Sequence, residues 1–200
     1  MATKVWAHRG ASAYAPENTI PAFRLAMEQG ADGIELDVHL TSDGHVVVLH
    51  DERIDRTSNG TGAVSSYTLE ELRRFDFSYK FENYSNVKIP TLAEVYDLVS
   101  GKGISVNVEI KAGARPEPLM ESELLRLEKE FGMSQQVIYS SFNHNSLLSL
   151  KRAIPHARLG LLYMAVLARP WDYARAIGAD ALHVLFRSME EDGFTESSHK

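Results

Sequence analysis

No cysteine occurs in the 200 residues. That excludes a disulfide framework, a thiolate metal site and a thiol nucleophile, and it fits a reducing compartment. Positive charge is scarce as well. Lysine and arginine number 21 against 27 acidic residues, a net charge of −6, so nonspecific nucleic-acid binding is not expected. Long apolar runs are missing. The longest, LGLLYMAVLA, stops at Arg169-Pro170 and is about half the ~20 residues a membrane span needs. The opening MATKVWAHRG holds no apolar run of signal-peptide length. These absences predict a cytoplasmic protein without stable membrane insertion. No G-x-G-x-x-G, Walker A loop or G-x-S-x-G elbow occurs, which argues against dinucleotide binding, a P-loop NTPase and a serine esterase.

What is present alternates. Hydrophobic residues make up 44% and charged residues 24%, a balance that suits one globular domain over residues 1–200. Strand patterns fall near residues 4–8, 33–38, 46–50, 104–110, 136–141, 158–162 and 180–184. Helical patterns lie between them. Asn18 or Thr19 caps the first, which carries Phe23, Ala26 and Met27 as its buried stripe and closes at Gly30. Others span Thr91 to Ser100 (with a Thr91/Glu94 capping box), roughly Glu117 to Phe131, Asn143 to Ala153, and Pro170 to Ile177. Strands and helices in alternation predict parallel strands with helices packed outside. Seven strands fall short of an eight-stranded β/α barrel, which takes ~250 residues. The chain therefore reads as an α/β TIM-type barrel that is C-terminally incomplete, with 186–200 as a disordered tail.

Two stretches interrupt the rhythm. Residues 52–88 are polar, turn-rich and aromatic, with one short helix at Thr68 to Phe75; they read as a cap-like insertion after the third strand. Tyr84 and its aromatic neighbours there either cover substrate or build a small satellite core. The link from Asp37 to Val46 is too short for a helical crossover. An extended return of about eight residues, reaching roughly 26 Å, could keep the third strand parallel. A plain antiparallel hairpin is the other option, and on this reading it would leave His50 at the far end from the carboxylates.

Side chains alternate along a strand, so Glu35 and Asp37 share the face opposite Ile34, Leu36 and Val38. In SVNVEIK the same rule sets Asn107, Glu109 and Lys111 opposite Val106, Val108 and Ile110. Barrel enzymes gather their chemistry at the carboxyl ends of several strands. Three carboxylates on one lumen repel one another, and a hard divalent cation, Mg²⁺ or Ca²⁺, resolves that with oxygen ligands. The plainer alternative pairs each carboxylate with Arg9, Lys111 or a backbone amide. His8 and His50 are the expected proton handlers, because imidazole accepts and donates near neutral pH. Arg9 and Lys111 are expected to hold an anion, phosphate first. His39, His45, His144, His156 and His199 read as structural, and His183 is ambiguous. Glu17-Asn18 orients His8 or a metal ligand, or only caps a helix; Asp51 hydrogen-bonds a neighbour.

The segments AHRG, PENT, ELDVHLTSDGHVVVLHD and VEIK, in this order and spacing, resemble the glycerophosphodiester phosphodiesterase family, over residues 4 to about 184. The resemblance implies a TIM barrel with a small insertion after the third strand, metal ligands at Glu35, Asp37 and Glu109, an acid/base pair at His8 and His50, and phosphate contacts at Arg9 and Lys111. It favours the extended return, because His50 must face the carboxylates. The implied reaction is hydrolysis of a small-molecule glycerophosphodiester, such as glycerophosphocholine or glycerophosphoethanolamine, to glycerol 3-phosphate and an alcohol.

The family usually continues with a further helix, a strand bearing a Trp-Thr-Val-Asn-like segment and a final Gly-Ile-Ile-Thr-Asp-like strand, and neither strand occurs here. Unpaired barrel edges and self-association are therefore expected. Two alternatives stay open at this point: an inactive fragment that binds phosphodiesters or a partner without turnover, and a lysophospholipase-D-like activity, which would want a greasy entrance. A glycosidase built on paired carboxylates would leave the strand-end histidines beside Arg9 and Lys111 unexplained.

Overall fold

Alternating apolar residues set the strands, with β-branched ones concentrated in those around Ile34, Val46-Val47-Val48, Val106 to Ile110 and Val137-Ile138. The computed structural model describes residues 3–111 and 118–185. Its strands are β1 (Trp6–His8), β2 (Gly33–Leu40), β3 (Val46–Val48), β4 (Ser105–Ile110), β5 (Val137–Ser141), β6 (Arg158–Leu162) and β7 (Ala181–His183). All seven expected strands are there, in one sheet. Six are parallel and adjacent in the order β1-β2-β4-β5-β6-β7, while β3 pairs only with β2. Helices α1 (Ile20–Glu28), α3 (Leu92–Val99), α4 (Pro118–Glu130), α5 (His144–Ala153) and α6 (Pro170–Ile177) connect the parallel strands; α2 (Leu69–Leu72) belongs to the long excursion before α3. The result is a TIM-type half-barrel, open between β1 and β7 among the described residues.

The helices begin where their caps dictate. Thr19, not Asn18, caps α1, and Thr91 with Glu94 closes a capping box at α3. Leu92, Val95, Tyr96 and Val99 follow at helical spacing, and all are buried against the sheet. The outward residues of β2 and β4, Ile34, Leu36, Val38, Val106 and Val108, meet that helical layer and are withdrawn from solvent. Alternation then sends their neighbours into the lumen.

The third strand is a correction. Its register, Val38 with Val48 and Leu40 with Val46, is antiparallel, so the extended return is not what forms. Gly44 in the left-handed region (φ 82°) and Thr41, whose N–H donates to the His45 carbonyl at 3.0 Å, close a tight turn. The reasoning that a hairpin would remove His50 from the carboxylates also fails. β2 outruns its neighbour: β4 pairs with it only as far as Val38. The hairpin is an overhang beyond the neighbouring strand, and it folds back. Leu49 donates its N–H to the Asp37 carbonyl at 3.0 Å, so His50 returns to the level of the acids.

The excursion from 52 onward packs on the far side of β3: Ile54, Val64, Leu72 and Phe77, among others, form a second apolar cluster with Val47 and Leu49, and Tyr67, Phe75 and Tyr84 pack against it. Its aromatics build a satellite core, and α2 is shorter than the expected Thr68-to-Phe75 helix. The start of the expected Glu117 helix, the 186–200 tail and His199 lie outside the described residues.

Candidate functional site

Strand register stacks the polar residues in rows. His8 pairs with Glu35 across β1 and β2; Glu35 pairs with Asn107 and Asp37 with Glu109 across β2 and β4. One carboxylate oxygen from each of Glu35, Asp37 and Glu109 lies within 4.8 Å of the others. The three are buried, at 8%, 0% and 7% exposure, so water screens their repulsion poorly. Burial first, then the charges of Asp37 and Glu109, push the Glu35 carboxyl up to about 8. Burial also raises that of Glu109, with Lys111 pulling it back and Asp37 adding to the rise.

The chain answers part of this charge itself. Lys111 Nζ stands 2.9 Å from Asp37 Oδ1 and donates to Glu109 Oε1. Arg9 donates its backbone N–H to Glu35 Oε2 at 3.0 Å, and its Nε lies 3.6 Å from Asp37 Oδ2. Asn18 Nδ2 donates to the same oxygen at 2.8 Å. Arg9 reaches inward from a left-handed backbone (φ 59°), followed by Gly10 (φ 78°), where a Cβ would fall 2.8 Å from Ala22. The plainer reading of the acids thus holds for some oxygens. It leaves buried acceptors over: Asn18 Oδ1 and Asn107 Oδ1 have no hydrogen-bond partner in the protein. An all-oxygen, anionic donor set with spare carbonyl oxygens beside it suits a hard divalent cation.

The histidines differ in setting. His8 is exposed, its Nε2 3.8 Å from Glu35 Oε2. His50 Nδ1 lies 2.7 Å from Asp51 Oδ1. Hydrogen bonds from Arg56, aided by His50, hold the Asp51 carboxyl down at about 2, so Asp51 is an acceptor and the imidazole donates from Nδ1. His50 Nε2 is then free to handle a proton. His39, read as structural, contacts the His50 carbonyl at 3.2 Å through Nε2. Glu17 does not touch His8. It takes a hydrogen bond from Arg9 Nη1 at 2.9 Å and two from Arg56, which hold its carboxyl at about 2.

Beneath the acids lies a cavity of about 380 Å³ lined by Trp6, His8, Glu35, Asn107, Ile138 and His183. Gly33 and Gly160 make room for its floor: a Cβ at Gly33 would sit 2.7 Å from the Trp6 ring, and one at Gly160 would sit 2.6 Å from the His183 ring. His183 is therefore a lumen residue, and burial holds its imidazole below the usual range. Elsewhere His45 meets Asp43, His144 meets Tyr173 and the Leu162 carbonyl, and His156 meets Glu128, all in structural settings.

The structure thus gathers Glu35, Asp37, Glu109, Arg9, Lys111 and His8 around one lumen and brings His50 back to its rim. Sequence reasoning passed over Arg56. Its partner Glu17 is 39 residues away, a separation no spacing rule reports. Of the two roles open to Asn18 in the sequence, orienting a site residue or capping a helix, its amide takes the first: it is buried, has a positive φ (57°) and holds Asp37 Oδ2, while Thr19 takes the cap.

Comparison with known proteins gives one answer. The profile of the glycerophosphoryl diester phosphodiesterase family matches residues 8–200. A glycerophosphodiester phosphodiesterase of Caldanaerobacter subterraneus subsp. tengcongensis is 50% identical over 187 residues, 93% of this chain and 77% of its own length. One from Bacillus altitudinis is 42% identical over 183 residues, 90% of this chain and 75% of its own. Among solved structures, a glycerophosphodiester phosphodiesterase from Agrobacterium tumefaciens superposes with a TM-score of 0.86 at 30% identity, covering 99% of this chain and 83% of that one. An Oleispira antarctica phosphodiesterase in complex with sn-glycerol-3-phosphate gives 0.77 at 32% identity, covering 91% and 74%.

Proposed function

The chain belongs to the glycerophosphoryl diester phosphodiesterase family, and from that membership we propose that it hydrolyses small glycerophosphodiesters, glycerophosphocholine or glycerophosphoethanolamine, to glycerol 3-phosphate and an alcohol. One observation carries the reading: three buried carboxylates within 4.8 Å of one another share a lumen with two cations and the strand-end histidines. Glu35, Asp37 and Glu109 would hold one divalent cation, Mg²⁺ or Ca²⁺. Such an ion, when bound, supplies Lewis-acid polarisation of a phosphoryl oxygen and of the attacking hydroxyl.

The protein's own groups do the rest. Arg9 and Lys111 take the phosphate oxygens and offset the charge that grows on them during displacement. One of His8 and His50 removes the proton of the attacking hydroxyl, either water, which gives glycerol 3-phosphate directly, or the glycerol 2-hydroxyl, which gives a cyclic phosphate that water then opens to glycerol 3-phosphate with the two histidines exchanging roles. The other protonates the leaving alkoxide as its P–O bond breaks. Asp51 fixes the His50 tautomer with its proton on Nδ1, which leaves Nε2 as the nitrogen that takes or gives the reacting proton. Residues 52–88 serve as a cap, anchored by the apolar cluster they share with Val47 and Leu49.

Release of glycerol 3-phosphate from glycerophosphocholine tests this directly. Turnover abolished by EDTA and restored by Mg²⁺ or Ca²⁺ is expected; turnover indifferent to chelation would overturn the metal assignment, and binding without turnover would overturn the hydrolytic one. A second reading has a specific support. Phe142, Met164, Val166 and Leu167, in the loops that leave β5 and β6, are exposed apolar residues, as the entrance of a lysophospholipase-D-like enzyme would require. Faster release of choline from lysophosphatidylcholine than from glycerophosphocholine would favour it.

A further inference from the structure

One guanidinium outside the lumen ties together two groups that the proposed chemistry uses separately. Arg56 stands at the end of a 3₁₀ turn, Ile54–Arg56. That turn is pinned by the fully buried Ile54 and by its N–H bond to the Gly62 carbonyl at 3.0 Å. From there Nε donates to Asp51 Oδ2 at 2.7 Å and Nη2 to Asp51 Oδ1 at 3.1 Å. On its other edge Nη2 donates to Glu17 Oε1 at 2.7 Å and Nη1 to Glu17 Oε2 at 2.9 Å. Each carboxylate is gripped at both oxygens. Each then passes the constraint on: Asp51 Oδ1 lies 2.7 Å from His50 Nδ1, and Glu17 Oε1 accepts from Arg9 Nη1 at 2.9 Å.

We propose that Arg56 is a positioning residue that sets His50 through Asp51 and Arg9 through Glu17, so that the proton handler and the phosphate contact are held by one planar group. The inference rests on the phosphodiesterase reading for what those two residues do, and on geometry for how they are held. An exposed ion pair alone contributes little. Here four hydrogen bonds converge on a partly sheltered guanidinium, and its rigid fork is what lets both carboxylates be met side-on. A lysine ammonium is a compact point charge without that planar fork, and it cannot meet both carboxylates at both of their oxygens. Because Arg56 sits in the segment after the hairpin, the cap and the catalytic loops become one mechanical unit.

Steady-state kinetics on glycerophosphocholine with saturating divalent cation separates positioning from mere support. R56M should lower kcat about 10- to 100-fold and raise KM a few-fold. Asp51→Asn should reproduce the fall in kcat, Glu17→Gln the rise in KM, and R56M/D51N should be no slower than the worse single variant. R56K should recover less than a tenth of the lost kcat although its charge is kept. Additive losses, full rescue by lysine, or kcat and KM within twofold of wild type in R56M would overturn the proposal. Nitrogen-15 NMR of the His50 imidazole gives a readout without turnover. Wild type should show the Nδ1–H tautomer, and R56M a mixture. An unchanged tautomer in R56M overturns this proposal, whereas a wild type that turns nothing over yet shows the shift in R56M overturns the phosphodiesterase reading and leaves the positioning role standing.

Discussion

Replacing Glu35 by glutamine should make the metal-free protein more stable at alkaline pH and leave it unchanged near pH 4.5. Burial and the neighbouring Asp37 and Glu109 hold the Glu35 carboxyl at about 8, against 4.5 for an ordinary glutamate. Between those values the folded protein keeps a proton that the unfolded chain has released, so stability falls as pH rises through this window. The loss reaches on the order of 5 kcal/mol above pH 8, since each pH unit of displacement is worth about 1.4 kcal/mol. Glutamine carries no such charge, and the loss should vanish. Burial holds the imidazoles of His39 and His183 below their usual range, which contributes a slope of opposite sign, so the wild-type-minus-variant difference is the quantity to read. Urea unfolding in EDTA, followed by tryptophan fluorescence from pH 4.5 to 8.5, measures it. With a denaturant slope of about 2 kcal/mol/M, the E35Q midpoint should exceed that of wild type by about 2 M at pH 8.5 and match it at pH 4.5. Saturating Ca²⁺ or Mg²⁺ should then lift the wild type and scarcely move the variant, because an ion that binds only the folded state stabilises it by mass action. A pH-independent difference, or a wild type more stable than E35Q at pH 8.5 in EDTA, would refute the reasoning.

His8→Ala and His50→Ala should each lower kcat by about 10²- to 10⁴-fold while divalent-cation affinity, read by calorimetry, stays within a few-fold. Gly33→Ala would set a Cβ 2.7 Å from the Trp6 ring; overpacking of this kind costs about 1–3 kcal/mol and should appear as a lower Tm. Glu128, 1% exposed, accepts the Tyr139 hydroxyl at 2.9 Å and meets His156 Nε2 at 2.5 Å. Glu128→Ala would leave that hydroxyl without its acceptor, a loss of about 2–3 kcal/mol in urea unfolding, with kcat of the folded enzyme within twofold of wild type.

The rows of acids were legible in the sequence because strand alternation is local. Two residues two apart on a strand share a face whatever the rest of the chain does, and Glu35 with Asp37, and Glu109 with Lys111, needed nothing more. Capping chemistry was equally local, and the Thr91/Glu94 box formed as its spacing required. The direction of β3 was not legible. It depended on how far β2 extends past β4, a property of two strands some seventy residues apart, and without that overhang a hairpin and a nearby His50 looked incompatible. Arg56 escaped for the same reason. Its turn is ordinary in sequence, and its role exists only once the loop bearing Glu17 and the one bearing Asp51 face each other across it.

The most direct test of the central claim, that Glu35, Asp37 and Glu109 hold one divalent cation, is anomalous diffraction from crystals prepared in EDTA and then soaked in Mn²⁺. A single anomalous peak bonded to one oxygen of each carboxylate is predicted, with Lys111 Nζ moved off at least one of Asp37 and Glu109. No peak there, with the Lys111 ammonium still against both acids as it is now, or a peak held by other residues, would contradict the account.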